Sequence, residues 1–279
     1  MKGWRRFLLG EFSVARVVRS MVTVPLLIYC SLFLYAYFFS DRVIFQPQPA
    51  TYRDNAEIIK LTSQDGILIS AIYLPNPNAD YTILYSHGNA EDLGDILPNL
   101  RALHKLGFSV FAYDYHGYGT SQGQPSESNI YHDIDAAYDY LTGKLAIPTD
   151  RIISFGHSVG GGPAIDLAAR RPIAALVVES SFVTAFRVLT RVSLLPFDKF
   201  CNIDKINKVR CPVLIIHGKT DEVISHTHAE VLFQHAPEPK RLFLVEGAGH
   251  NNVQWVAGAA YTQTLNDFMQ LTRSIKQNP

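Results

Sequence analysis

The pentapeptide Gly156-His157-Ser158-Val159-Gly160 sets a serine between two glycines, directly after the run Arg151-Ile152-Ile153-Ser154-Phe155. Glycines at these positions permit a sharp strand-to-helix turn that lifts the serine Oγ above the chain, with a helix N-terminus behind it favouring negative charge. A serine hydroxyl at its ordinary pKa is a poor nucleophile, so it needs a base, and the base needs a third group to orient it. In this strand–turn–helix setting the partners follow in the order serine, acid, histidine. Downstream, the run ending at His217 opens into Gly218-Lys219-Thr220-Asp221-Glu222, and the run ending near Glu246 opens into Gly247-Ala248-Gly249-His250. Asp221 is the expected acid, with Glu222 and Glu179 as the next carboxylates, and His250 is the expected base. Acyl transfer also needs donors aimed at the charge that develops on the carbonyl oxygen. The Val159 N–H is one. The other is expected from the loop Ser86-His87-Gly88-Asn89-Ala90-Glu91-Asp92, at the Asn89 amide, with Ala90 as the alternative. His157 is read as shaping the turn and His87 as bracing its loop.

Other polar clusters carry less. His226-Thr227-His228 has no third ligand at a metal-site spacing and reads as a polar helix face, so no metal is expected. His132-Asp133-Ile134-Asp135 reads the same way, as a solvated helix face. Asp114-Tyr115-His116-Gly117-Tyr118-Gly119 lacks the glycine spacing of a dinucleotide loop and reads as a structural turn beside the site. Three cysteines form no C-x-x-C pair, and Cys201 and Cys211 are read as free thiols.

To position these loops the chain offers eight strand-like runs: 58–62, 67–74, 81–86, 109–114, 151–156, 174–179, 213–217 and 241–245. Between the later ones lie helical patterns near 94–105, 127–143, 159–170, 225–234 and 252–274. Val213-Leu214-Ile215-Ile216 is apolar without alternation, as in a strand covered on both faces. Such alternation implies a mostly parallel eight-stranded sheet whose ligands bind at the carboxyl ends of the strands. Each chemical loop named above falls at such an end.

With 279 residues and 47% hydrophobic composition the chain can bury one large core. Formal net charge is zero, but residues 1–20 hold Lys2, Arg5, Arg6, Arg16 and Arg19 against Glu11 alone. The positive charge is local, which excludes the broad basic face of a nucleic-acid binder. From Ser20 to Ser40 no residue is charged. Helical geometry carries such a run across ~31 Å, about the apolar thickness of a bilayer. The segment is longer than a signal-peptide core and ends Tyr37-Phe38-Phe39-Ser40, so an uncleaved anchor is expected. The positive-inside rule puts the N-terminus in the cytoplasm and the catalytic part outside it. Residues 7–19 mix apolar and basic positions in a way that suits an interfacial helix. The expected organisation is a basic segment at 1–20, a transmembrane anchor at 21–40, a linker at 41–57 and the folded domain at 58–279.

Taken together, Ser86-His87-Gly88-Asn89-Ala90, Tyr113-Asp114-Tyr115-His116-Gly117-Tyr118-Gly119, Asp133-Ile134-Asp135-Ala136-Ala137, Ile215-Ile216-His217-Gly218 and Glu246-Gly247-Ala248-Gly249-His250-Asn251 resemble the α/β-hydrolase-domain depalmitoylases. These are membrane-associated acyl-protein thioesterases. The resemblance spans roughly residues 45–271. It implies an α/β-hydrolase fold, a Ser–Asp–His hydrolase that uses no cofactor, and acylated proteins or lipid-like esters as substrates. Two features depart from that group: a hydrophobic span with one cysteine replaces the cysteine-rich lipidated N-terminus, and His157 stands where Gln is expected. A serine peptidase of the aminopeptidase type is the alternative; it would often carry a His-Gly-Gly loop and a large cap, whereas this chain has His-Gly-Asn and only about 30 residues between Ser180 and Arg210, enough for a small lid. A non-catalytic hydrolase-like binding protein is the other, and loss of a triad member would favour it.

Overall fold

Runs rich in β-branched and aromatic residues pair into one eight-stranded sheet. They are β1 (Ile58–Thr62), β2 (Leu68–Leu74), β3 (Thr82–Ser86), β4 (Ser109–Tyr113), β5 (Ile152–His157), β6 (Ala175–Glu179), β7 (Val213–Gly218) and β8 (Lys240–Val245). The computed structural model describes residues 14–277 and divides between Val43 and Ile44 into two compact units. Residues 1–13, with Lys2, Arg5 and Arg6 and much of the amphipathic stretch expected at 7–19, lie outside the described residues.

The amino-terminal unit carries helix α1 (Val14–Ile44). Within Ala15–Ile44 an 18-residue window reaches a mean hydropathy of 1.9, and the helix is long and apolar enough to cross a membrane.

In the second unit the sheet order is β1-β2-β4-β3-β5-β6-β7-β8. The pairs β1–β2 and β2–β4 are antiparallel and all later pairs are parallel. Helices cover both faces: α2 (Leu93–Lys105), α3 (Glu127–Asp139), α4 (Gly161–Arg170), α5 (Ala185–Thr190), α6 (Ile203–Ile206), α7 (Thr227–His235), α8 (Val253–Ala257) and α9 (Ala259–Gln277). Strand alternation sorts the core. Ile83 and Tyr85 of β3 join Leu93, Ile96 and Leu100 of α2 and Leu265 and Phe268 of α9, while Leu84 joins Ile130 and Ile134 of α3 on the other face. A third cluster packs Leu176, Val178 and Ile215 against Ile165 of α4 and Leu232 of α7. Register aligns the carboxyl ends: Ser86 lies opposite Gly156 and His157 opposite Glu179.

Three local expectations are corrected. The helix expected over 252–274 is two, because Gly258 takes φ +52 between α8 and α9. The pattern at 127–143 leaves α-geometry at Asp139 and continues as a π-turn, Tyr140–Lys144. The Asp133–Asp135 stretch is not a solvated face. Both aspartates are buried, since position 133 stands three residues after Ile130 and four before Ala137, on the inward stripe of α3. There Asp133 accepts the His116 backbone N–H at 2.9 Å and faces His116 Nδ1 at 2.6 Å.

Candidate active site

β5 runs into a tight turn at Ser158, whose φ of +54 puts a non-glycine residue in the left-handed region. The flanking glycines are required by close backbone approach. A Cβ on Gly156 would meet the Gly160 carbonyl oxygen at 2.3 Å, and one on Gly160 would meet the Ser86 carbonyl oxygen at 2.1 Å. The turn aims Ser158 Oγ at His250 Nε2, 2.9 Å away. On its far side His250 Nδ1 lies 2.8 Å from Asp221 Oδ2. A carboxylate there fixes the proton on Nδ1 and leaves Nε2 free to accept from the serine.

The loops bearing Asp221 and His250 are tied to each other. Thr220 donates both its N–H and its hydroxyl to the Ala248 carbonyl, at 2.9 and 2.8 Å. The side chain of Asp221 is fully buried. Its Oδ1 accepts the Val223 and Ile224 N–H groups at 2.9 and 2.8 Å, and His217 Nε2 stands 3.1 Å from Oδ2. Burial alone would raise this carboxyl, but hydrogen bonds from His217, His250 and the Ile224 N–H outweigh it and hold the pKa well below the usual carboxylate range. The other two carboxylates weighed from sequence lie elsewhere: Glu179 accepts the Tyr261 hydroxyl at 2.7 Å, and Glu222 is exposed.

The loop after β3 is braced by tyrosines from the turn after β4. Tyr115 donates to the His87 carbonyl at 2.7 Å and Tyr118 to Asn89 Oδ1 at 2.6 Å. Asn89 Oδ1 also accepts the Gln46 N–H at 3.0 Å, and Asn89 Nδ2 donates to the Ile44 carbonyl at 2.7 Å. These three bonds occupy the Asn89 side chain. The Gly88 N–H is taken by Glu91 Oε2 at 2.7 Å. Val159 sits in the first turn of a 3-10 helix, where an N–H has no intrahelical acceptor. His87 Nδ1 bonds the Gly88 carbonyl at 2.8 Å, and Nε2 faces Asp114 at 3.3 Å. Burial disfavours the His87 imidazolium, but that carboxylate raises its pKa above the ordinary value. Asp114 in turn accepts the Leu93 N–H at 3.0 Å and the Tyr52 hydroxyl. Asp114, Tyr115, Tyr118 and Glu91 are the bracing residues that sequence reasoning did not name individually; the polar–aromatic alternation of 114–118 after a strand was the available signal.

The insertion between β6 and β7 splits its apolar side chains. Phe182 and Phe200 are buried in the core, Phe186 and Phe197 stack edge-to-face at 5.8 Å, and Leu189 and Leu194 are 82% and 53% exposed. Beside it lies a cavity of about 560 Å³ lined by Val183, Arg187, Val188, Asp221, Val223 and His228 among others. His228 Nδ1 there accepts the Val183 N–H at 3.2 Å. Cys201 and Cys211 are free thiols.

A mostly parallel eight-stranded sheet with an elbow serine after β5 defines the α/β-hydrolase class. Residues 77–202 match the serine aminopeptidase family S33. Alpha/beta hydrolase domain-containing protein 17B of Xenopus tropicalis is 41% identical over 222 residues, covering 78% of this chain and 76% of its own. The human 17B protein is 40% identical with the same coverage. The related protein aho-3 of Caenorhabditis elegans is 41% identical over 203 residues, but the chain spans only 60% of its length. Among solved structures, an esterase of Pyrococcus furiosus superposes with a TM-score of 0.69 at 20% identity, over 81% of this chain and 98% of that one. The chain belongs to the alpha/beta hydrolase domain-containing protein 17 family.

Proposed function

We propose that this protein is a membrane-anchored serine hydrolase that cleaves ester or thioester bonds of acylated proteins or lipid-like esters through an acyl-enzyme on Ser158. The observation that carries the reading is the relay from Ser158 Oγ to His250 Nε2 at 2.9 Å and from His250 Nδ1 to Asp221 at 2.8 Å. His250 takes the Ser158 proton as Oγ adds to the acyl carbon. Asp221 orients the ring and stabilises the imidazolium. In this reading the Val159 and Asn89 N–H groups donate to the oxygen on which charge develops. His250 then protonates the departing thiolate or alkoxide. In the second half a water, deprotonated by His250, attacks the acyl-serine, and as the C–Oγ bond breaks His250 returns the proton to Ser158 Oγ, releasing the carboxylic acid. Side chains and water suffice, with no metal or cofactor.

Membership of the 17 family supports the ester and thioester class, through the resemblance to depalmitoylases. The match of residues 77–202 to a serine aminopeptidase family favours the second reading, a peptidase releasing N-terminal residues. A fluorophosphonate probe tests the shared chemistry: the wild-type chain should label and Ser158→Ala should not. Labelling undiminished in a folded Ser158→Ala protein would sink both readings. Comparing acyl thioesters with peptide amides then separates them.

For the membrane, α1 supports a single span, and the basic bias ahead of it supports a cytoplasmic N-terminus with the hydrolase unit on the opposite side. Cysteine accessibility at positions 5 and 50 tests this. Both on the cytosolic face would overturn the orientation and favour action on cytosolic proteins.

A further inference from the structure

His157 belongs to the nucleophile elbow, yet its side chain serves two other loops. Its Nδ1 lies 3.7 Å from Glu91 Oε2, the same oxygen that accepts the Gly88 N–H at 2.7 Å. Its Nε2 lies 3.5 Å from the backbone carbonyl of His250, and the two imidazole rings are 5.6 Å apart. One ring therefore spans the loop after β3, which carries Asn89, and the loop after β8, which carries the base. The β3 loop is packed tightly on the pair: a Cβ at Gly88 would come within 2.7 Å of Glu91 Oε2 and 3.0 Å of His157 Nδ1.

We propose that His157, paired with Glu91, is a positioning residue that holds the Asn89 loop and the His250 loop in register around Ser158. The inference rests on the serine-hydrolase reading above. Its chemistry follows from proton count. The carbonyl contact at 3.5 Å takes an N–H on Nε2 and the ion pair at 3.7 Å takes a positively charged ring, and only the imidazolium supplies both. The neutral ring has a single N–H and must release one loop.

The surroundings favour the charged form. Glu91 faces the ring from the β3 loop, Glu179 from the end of β6, and the His250 carbonyl from the β8 loop. Tyr261 of α9 donates to Glu179, and the charge of His87 also acts on Glu91. Burial would lower the His157 pKa, but Glu91 and Glu179 carry it up to about 9, and Glu91 is reciprocally drawn down to about 2. The clamp is thus intact at neutral pH and opens as pH rises through about 9. A cavity of about 410 Å³, lined by Glu91, His157, Glu179, Asn251, Trp255 and Tyr261 among others, lies against the pair on the α9 side.

The test is the rate of fluorophosphonate capture by the full chain from pH 6 to 11. Misplacing a catalytic loop by about 1 Å costs on the order of 10²-fold. The wild-type rate should fall by that order across pH 9. His157→Gln should already be slow at pH 7 and show no limb near pH 9. Glu91→Gln removes the carboxylate that holds the proton, so its limb should move at least one unit lower; this variant carries the test if His157→Gln fails to fold. A His157→Gln profile superimposable on wild type, or an unmoved limb in Glu91→Gln, overturns the clamp while leaving the hydrolase reading intact. Absence of labelling at Ser158 in the wild type would instead remove the hydrolase reading, and the clamp with it.

Discussion

Asp221 cannot change its chemistry without changing the tautomer of His250. Its Oδ1 is committed to the Val223 and Ile224 N–H groups, so in Asp221→Asn the amide oxygen must keep that place and the NH2 must turn towards His250 Nδ1. Nδ1 then has to accept, which moves the ring proton to Nε2, where it opposes removal of the Ser158 proton. Turnover of an activated ester should fall about 10⁴-fold, with folding retained, because a wrong tautomer disables the base without removing it. His250→Ala should cost ~10⁴–10⁶-fold, as much as Ser158→Ala, since the two act as a unit. Full activity in Asp221→Asn, with loss on substituting Glu222 or Glu179, would move the acid. Ser158, Asp221 and His250 were nameable from sequence because each follows a strand end in a loop of small residues, so backbone pattern alone brings them to one edge. Glu91, Tyr115 and Tyr118 were not, because their roles are side-chain bonds to groups whose position only the folded sheet fixes.

At the scale of elements, the strands were legible to within a residue: β3 to β7 are apolar runs buried throughout that tolerate little else, and the less buried β1 and β2 are marked by the Asp65-Gly66 turn between them. The helix break at Gly258 and the inward turn of Asp133 were not. The conformation at one glycine leaves no periodic trace, and Asp133, though it falls on the inward stripe of α3, reads as solvated until His116 is placed against it. The insertion between β6 and β7 was ambiguous for a different reason: its leucines and phenylalanines read alike, but Phe182 and Phe200 pack inward while Leu189 and Leu194 face out. Between these extremes the half-buried Phe186–Phe197 pair and Leu195 can meet an acyl chain, each buried methylene being worth ~0.8 kcal/mol. Thioesters with medium to long chains should therefore be cleaved faster than acetyl ones. Phe186→Ser or Leu195→Ser should flatten that preference before acetyl turnover falls. Equal rates across chain lengths in the wild type would remove the lipid reading and promote the peptidase.

For the whole molecule, the division at Val43–Ile44 sets where the chain can be cut without harming the site. The hydrolase unit has its own clusters of buried side chains on both sheet faces, so it does not need α1 for a core. Yet its first residues hold the site. The Ile44 carbonyl and Gln46 N–H fix the Asn89 side chain, the Thr51 N–H bonds Asp92 at 2.7 Å, the Tyr52 hydroxyl bonds Asp114, and Phe45 is buried against Phe200 at 5.8 Å between ring centroids. The 279-residue chain should remain with membranes through alkaline carbonate, and a chain beginning at Ile44 should be soluble and label at Ser158 within about twofold of it. A chain beginning at Asn55 keeps all eight strands but loses every one of these contacts, three of them to the loop that carries Asn89. Each lost hydrogen bond costs ~1 kcal/mol, so two or three allow the loop to sample other positions. Its labelling should drop at least tenfold while its helical and strand content, read by circular dichroism, stays near that of the longer chain. Equal labelling of the two truncated chains would show that the Asn89 loop holds its place without residues 44–54, and membrane release of the full chain in carbonate would remove the anchor.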